Sequence, residues 1–423
     1  MSGAREAHNR VGCGANRIGR LVVALALALD ACGGVPLASA TPTVAGSAAA
    51  TSSPAQTTQS SPTPAAPAGV WSELRWSQPG LIPDAGTISA VAPWRGGFIG
   101  VGQVNDNGRY VGAAFASADG ATWSRTSTAT TFAAIPDRLV ATNAELIALA
   151  SSPASGSALA AWTSTDGRSW QGSSQLTLPG ASVSALGSYQ GLAIAAGTDA
   201  AGQPRLWRSD GGAPWVAAPP PSLSAIILQL VPLAEGIVAL GRDGDPDRAS
   251  GGVRISGVGR PAAWRSADGR AWNALQVEGT PAAGAELVGL FELQDGLLAV
   301  GSDAPDPAQS ARTALFWTSS DGRNLQKLGP ASPWGVAGAN GRLAVVFANP
   351  ISPTARVDVW ASRDGRRWTL LTFSGDLADI PGLTVSAGQT ARIDLVLVTS
   401  RGVVIVGQRD GRGATWFAEG VLH

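Results

Sequence analysis

One unit recurs along this chain: an aromatic residue, a short polar stretch ending in Asp-Gly, and a second large apolar residue eight positions after the first. The copies are Phe115 with Trp123 around Asp119-Gly120, Trp162 with Trp170 around Asp166-Gly167, and Trp207 with Trp215 around Asp210-Gly211. They continue with Trp264 and Trp272 around Asp268-Gly269, Trp317 and Leu325 around Asp321-Gly322, and Trp360 and Trp368 around Asp364-Gly365. The intervals of 43 to 58 residues are the length of one four-stranded unit. A unit of that size cannot bury its apolar faces alone, so the copies must stack on one another. Asp-Gly between apolar runs signals a hairpin, because Gly accepts positive φ and the Asp side chain bonds the amides ahead of it. The even spacing predicts that the two aromatics face each other across the hairpin as a cross-strand pair.

Upstream of each hairpin lies a short continuous apolar run. These runs are Phe98 to Val101, Leu146 to Leu149, Leu192 to Ala195, Ile237 to Leu240, Leu297 to Val300, Leu343 to Val346 and, as a seventh copy, Val403 to Val406. Most are opened by a Gly turn and read as strands buried on both faces. The seventh unit has a third strand at Ala414 to Phe417, but the chain stops before an outer strand. The missing piece stands at the start of the domain, where Leu74-Arg75-Trp76-Ser77 reads as an outer strand without a partner. The sequence therefore predicts an all-β fold over residues 70–423, a seven-bladed β-propeller whose N-terminal strand closes the last blade and removes a free sheet edge.

The Ser-x-Asp-Gly-x-x-Trp unit resembles the Asp-box of sialidase-like (BNR-repeat) propellers, and Thr122-Trp123 matches its final pair. Most copies are one residue shorter between Asp and Trp, and Leu325 replaces Trp in the fifth. The resemblance implies a structural role for Asp119, Asp166, Asp210, Asp268, Asp321 and Asp364, each holding its own turn away from any catalytic face. Sialidases of that family use an arginine triad, a Tyr paired with Glu, and an Asp acid/base. This chain has two tyrosines, Tyr110 and Tyr189. The blade pattern puts Tyr189 on the same face as the Asp-Gly turns and Tyr110 on the opposite one, where folding would have to bring Glu278, Glu286 or Glu292 to it.

Scarce residues exclude whole classes of chemistry. The two His residues are His8 and His423, and the two Cys residues are Cys13 and Cys32. A Ser-His-Asp triad, a His-ligated zinc site, a disulfide and a thiolate nucleophile each lack their central component within residues 70–422. Charge is balanced, with 30 basic and 30 acidic residues, which argues against a nucleic-acid partner because such proteins need a basic stripe to displace counterions.

The first 31 residues read as a leader. Arg5, Arg10, Arg17 and Arg20 precede the apolar run Leu21 to Leu29, too short to span a bilayer, and Asp30-Ala31-Cys32-Gly33 follows. The segment resembles a bacterial lipoprotein signal: Leu29, Ala31 and Cys32 match the lipobox, and Asp30 departs from it. That implies cleavage before Cys32, a lipid on its sulfur and an extracytoplasmic, membrane-anchored protein. Residues 32–69 are rich in Ala, Ser, Thr and Pro and carry no charge, so they read as a flexible linker with ends on the order of 30 Å apart.

Candidate sites fall on the connections between second and third strands. These are Asn105-Asp106-Asn107-Gly108, Asp199, Asp303 with Asp306, and an insertion from Arg242 to Arg260 that begins Asp243-Gly244-Asp245-Pro246-Asp247. Alternating Asp243, Asp245 and Asp247 could gather around Ca²⁺, although the loop lacks the Gly and the terminal Glu of an EF-hand; a solvated acidic loop is the alternative. Of 15 Trp residues, most occupy the hairpin positions, which assigns them to packing rather than to sugar stacking. The functional expectation is a non-catalytic module that binds a protein or glycan on the face opposite the Asp-Gly turns. A sialidase-type glycosidase and an assembly factor for a membrane complex are the alternatives.

Overall fold

The computed structural model describes Ala24–Leu25 and residues 71–421, apart from 78–79, 129, 152–157, 174–177, 180–181, 212, 245–258, 280–285, 303–313, 329–334, 340–342, 349–357 and 376–390. Seven antiparallel sheets form a ring, a seven-bladed β-propeller, with no α-helix among the described residues. No helix there is long and apolar enough to cross a membrane. The leader and linker, including Cys32, lie outside the described residues except for Ala24–Leu25, which pairs in parallel with Gly338 and Ala339.

Blade one is built from Thr87–Trp94, Gly97–Asp106, Arg109–Ser117 and Ser124–Arg125. Blade two has Arg138–Ala141, Leu146–Leu149, Ala161–Ser164 and Gln171–Gly172, and blade three has Ser182–Tyr189, Leu192–Thr198, Pro204–Asp210 and Val216–Ala218. Blade four has Ile226–Leu233, Gly236–Asp243, Arg260–Ser266 and Asn273–Ala274, and blade five has Glu286–Leu293, Gly296–Ser302, Ala314–Ser319 and Asn324–Lys327. Blade six follows with Gly335–Ala339, Ala344–Ala348, Asp358–Ser362 and Thr369–Leu370. The first strands of successive blades touch in series, and blade seven touches the first strand of blade one.

Blade seven takes three strands, Ala391–Val398, Gly402–Arg409 and Arg412–Val421, from the end of the domain and its outer strand, Glu73–Trp76, from the beginning. Trp76 pairs with Ala418 and Leu74 with Gly420, and Gly80 and Leu81 continue along the same strand opposite Thr415 and Ala414. On its other side Glu73–Trp76 is paired in parallel with Thr372–Gly375, an extension that leaves blade six. The closing strand is thus gripped from both sides, and no edge of it is left for another chain.

The core is a set of seven apolar clusters, one at each boundary between neighbouring blades. Second strands supply the largest share: Leu146 to Leu149, Ile237 to Leu240 and Val403 to Val406 are fully buried. Both apolar residues of a hairpin unit pack toward the preceding blade. Phe115 and Trp123 join the blade-seven boundary, and Trp162 and Trp170 the blade-one boundary, where Phe132 meets their rings at 5.1 and 5.6 Å. The members of a pair do not stand directly opposite each other. Trp162 pairs with Gly172 and Phe115 with Arg125, so the second aromatic sits diagonally, two positions nearer the turn, on the same face.

A second repeat accompanies the first. In five blades the first strand carries a bulge, between Ile88 and Ala90, Val183 and Ala185, Ile227 and Gln229, Leu287 and Gly289, and Ile393 and Leu395. The residue across from the first member of each pair is Gly102, Gly197, Gly241, Gly301 or Gly407. A Cβ on Gly102, Gly197 or Gly241 would stand 1.8 to 2.0 Å from a backbone oxygen of the bulged strand, closer than any side chain can fit. Blades two and six carry Ala150 and Ala348 at that place, and among the described residues their first and second strands pair without a register shift. The bulges bend the inner strands at the end of the ring opposite the Asp-Gly turns.

Candidate binding face

The two ends of the ring differ in chemistry. At the Asp-Gly face the unit Ser-x-Asp-Gly builds the same turn in blades one, two, four, five and six. The Asp carboxylate accepts the amides two and three residues ahead: Ala121 and Thr122 for Asp119, Arg168 and Ser169 for Asp166, Arg270 and Ala271 for Asp268. Asp321 takes Arg323 and Asn324, and Asp364 takes Arg366 and Arg367. In each the Ser two positions before donates its hydroxyl to the same carboxylate.

These bonds favour the charged form. Amides of Ser169 and Arg168 hold Asp166 down to about 2, and those of Ala271 and Arg270 lower Asp268. Amides of Asn324 and Arg323 hold Asp321 well below the ordinary carboxylate range. Burial alone would raise Asp119 and Asp364; the amide and hydroxyl donors outweigh it and leave both lowered.

The turns also join the blades. A Cβ on Gly167 would collide with Ile99 of blade one, one on Gly269 with Ile194 and Leu192 of blade three, and one on Gly365 with Leu298 of blade five. Thr415 of blade seven donates to the Ala121 carbonyl at 2.7 Å, and Thr126 of blade one to that of Gly167 at 3.2 Å. Blade five docks on a charge instead: Arg265 donates to the carbonyls of Gly322 and Glu235. Beside it a polar cleft of about 280 Å³ opens between Glu235, Glu292, Gln294 and Asp321.

Blade three departs from the pattern. Its Ser209 directly precedes Asp210, the Ser209 hydroxyl donates to the Ala213 carbonyl, and a Cβ on Gly211 would meet nothing within 4 Å.

At the opposite face the connections are unlike one another. The blade-one hairpin runs out to the pair Asp106 and Arg109 around Asn107-Gly108, both at positive φ; Asn105 accepts the Gly108 amide at 2.8 Å, and Tyr110 is 56% exposed. In blade two the Asp137 carboxylate accepts both the amide and the hydroxyl of Ser151. In blade three Asp199 accepts the amides of Ala201 and Gln203 and pairs with Arg205 at 2.9 Å.

In blade four the Asp243 carboxylate accepts the hydroxyls of Ser222 at 2.7 Å and Ser224 at 2.6 Å. Asp245, Asp247, Asp303 and Asp306 lie outside the described residues, and among the described residues no three His, Cys, Asp or Glu side chains gather where a metal ion could be held. Asp137, Asp199 and Asp243 are therefore each engaged in hydrogen bonds that tie down the connections around them. Sequence reasoning placed Asp199 and Asp243 here and missed the clamps, because Ser222 and Ser224 come from the connection that enters blade four.

The described residues named for a sialidase mechanism are spread over different parts of the ring. Tyr110 stands near the tip of the blade-one hairpin at the opposite face. Glu292 is at the Asp-Gly end of blade five, where its carboxylate accepts the Ala234 amide at 2.9 Å. The Glu278 backbone pairs with the outer strand of blade five, and its carbonyl accepts the Trp317 indole. Glu286 begins the first strand of that blade, across from Ser302. Tyr189 packs beside the blade three and four cluster, with Gln190 donating to its hydroxyl. Trp71 is buried in the blade six and seven cluster, Trp94 carries Arg95 over its ring at 5.3 Å, and Trp334 lies outside the described residues.

No protein-family model and no curated protein matches the sequence. Among solved structures the chain is similar to YCF48 bound to D1 peptide, at 16% identity over 82% of this chain and 96% of that one, with a TM-score of 0.51. The β-propeller domain of the Trilobed protease from Pyrococcus furiosus matches at 10% identity over 79% of this chain and 95% of that domain, with a TM-score of 0.48. At these identities the likeness concerns the fold, and the chain is a β-propeller.

Proposed function

We propose that this chain is a membrane-tethered, extracytoplasmic propeller that binds a protein partner, without catalysis, on the face opposite its Asp-Gly turns. The observation that carries the reading is the division of labour between the faces. The closing strand enters beside Val421 and Arg401, at the Asp-Gly end of blade seven. A lipid on Cys32 would tether the ring through its flexible linker from that end and leave the variable connections at the other end unattached. YCF48 was captured with a D1 peptide, and a peptide or protein is accordingly the first ligand class to test here, ahead of a glycan.

Since Cys13 and Cys32 are the chain's thiols, a cysteine introduced on either face can carry a bulky polyethylene glycol. Asn107→Cys so modified should abolish recovery of crosslinked partners from producing cells, and Arg270→Cys should not. The reverse result would sink the reading, and turnover of a fluorogenic sialoside by the chain would replace it with the glycosidase.

A further inference from the structure

The first strand of each blade is the innermost of its four, and its inner edge leaves backbone amides and carbonyls open to a further strand. Among the described residues that edge is unpaired in six blades and paired in one. Ala24–Leu25 adds in parallel to Gly335–Ala339 of blade six, Ala24 against Gly338 and Leu25 against Ala339. The added strand also touches Ala391–Val398, the first strand of blade seven.

Blade six is suited to the addition. Its first strand reads Gly335-Val336-Ala337-Gly338-Ala339, with no side chain larger than Val, so another backbone can come close. It also pairs with its second strand without the bulge that bends five of the other first strands and breaks the regular spacing of an edge. Blade two shares that regularity but carries the bulkier Arg138-Leu139-Val140-Ala141. At Gly338 the approach to blade seven is so close that a Cβ would stand 2.6 Å from the Val396 carbonyl oxygen.

The segment is suited as well. The apolar run of residues 21–29 continues Ala24-Leu25-Ala26-Leu27-Ala28-Leu29, the period-two alternation of a strand. Its direction agrees with the rest of the chain. Gly335–Ala339 runs toward the turn into the second strand, at the Asp-Gly end, and a parallel Ala24–Leu25 heads the same way. The closing strand enters at that end too, beside Val421 and Arg401.

We propose that the inner edge of blade six is a strand-receiving site for an extended peptide of alternating small and aliphatic residues, and that the chain's own leader fills it for as long as the leader is attached. Main-chain hydrogen bonds supply the affinity, and the small residues of Gly335–Ala339 select the ligand. The site lies inside the ring, so it goes beyond the reading of the opposite face and does not depend on it.

The experiment uses the full chain, leader included, and a fluorescent peptide of residues 17–31, which Arg17, Arg20 and Asp30 keep soluble, in the absence of lipid. Ala24→Pro/Leu25→Pro in the full chain removes the amides an added strand would donate and opens the edge. The peptide should bind that variant at least about 10-fold more tightly than the parent, whose attached leader competes at high effective concentration. A peptide carrying the same two prolines should bind neither chain. With a photoreactive group at its position 25, the binding peptide should mark the tryptic fragment 328–342, which contains the blade-six strand. Equal binding to parent and variant overturns the proposal, as does binding of the proline peptide, which would be plain apolar adsorption. An adduct spread over several blades, or confined to another one, overturns it also. Those failures leave the opposite face as a binding face, and loss of partners there leaves this site.

Discussion

Set side by side, the two ends of the ring show how one repeat serves two purposes. At the Asp-Gly end five blades use the same residues for the same bonds, and the product is a joint to the preceding blade. At the opposite end Asp137, Asp199 and Asp243 also accept hydrogen bonds, but from partners at different sequence distances, so each holds a different arrangement within its own blade. Side chains that recur in register serve the ring, and those that differ from blade to blade are free to serve a ligand. Blade three sharpens the contrast, since its Asp210-Gly211 turn keeps the Asp-Gly pair and lacks the joint.

The largest effect that can test this contrast is on closure. Deleting residues 70–78 removes a strand paired on both sides, and the cooperative melt should disappear, whereas deleting 33–60 should leave it unchanged. Equal melting curves would break the assignment of the closing strand. Next, Trp416→Ala at the same boundary should cost about 3–5 kcal/mol by denaturant unfolding, because the ring is fully buried.

Adding a methyl to the turns separates joint from non-joint. Gly269→Ala should cost about 2–3 kcal/mol, from left-handed φ and a collision with Ile194, while Gly211→Ala should cost about 1 kcal/mol from φ alone.

Smaller still is the carboxylate. Asp166→Ala should cost about 1 kcal/mol, and its effect should depend on pH. The folded pKa of about 2 lies below the unfolded value, so the contribution is fully present above about pH 4 and is lost as pH falls toward 2. The variant should lose less stability than the parent across that window. At the far end of the scale, Asp199→Ala should cost about 0.5 kcal/mol and raise amide exchange in residues 199–205 without altering the neighbouring blades. A loss spread across blades would erase the distinction between the two faces.

Most of the ring was legible because a repeat announces itself. The Trp spacing, the buried second strands and the orphan strand at Leu74 led to seven blades and their closure. The diagonal placement of the aromatics was not legible, since eight residues fix the face of each side chain but not the number taken up by the turn. Nor were the bulges. Their mark, a Gly inside the second strand at positions 102, 197, 241, 301 and 407, was present in the sequence, but Gly reads there as a breaker until its partner strand is known. The parallel extensions Gln276–Val277 and Thr372–Gly375 are too short to carry any pattern. The Asp243 clamp escaped for a different reason. Ser222 and Ser224 stand 21 and 19 residues before Asp243, and only the folded ring brings their hydroxyls to its carboxylate.

The closing strand has one more consequence, and it concerns time. Ser72 and Val421, joined at 3.0 Å, are 349 residues apart. A ribosome making this chain produces Trp71, Leu74 and Trp76 first and their partners last. Until blade six is made those side chains have no partner, and a polypeptide cut short before blade seven leaves their strand paired on one side only. Completion of the ring therefore waits for blade seven: the surface that chaperones and proteases read is withdrawn only when the Arg412–Val421 strand has arrived.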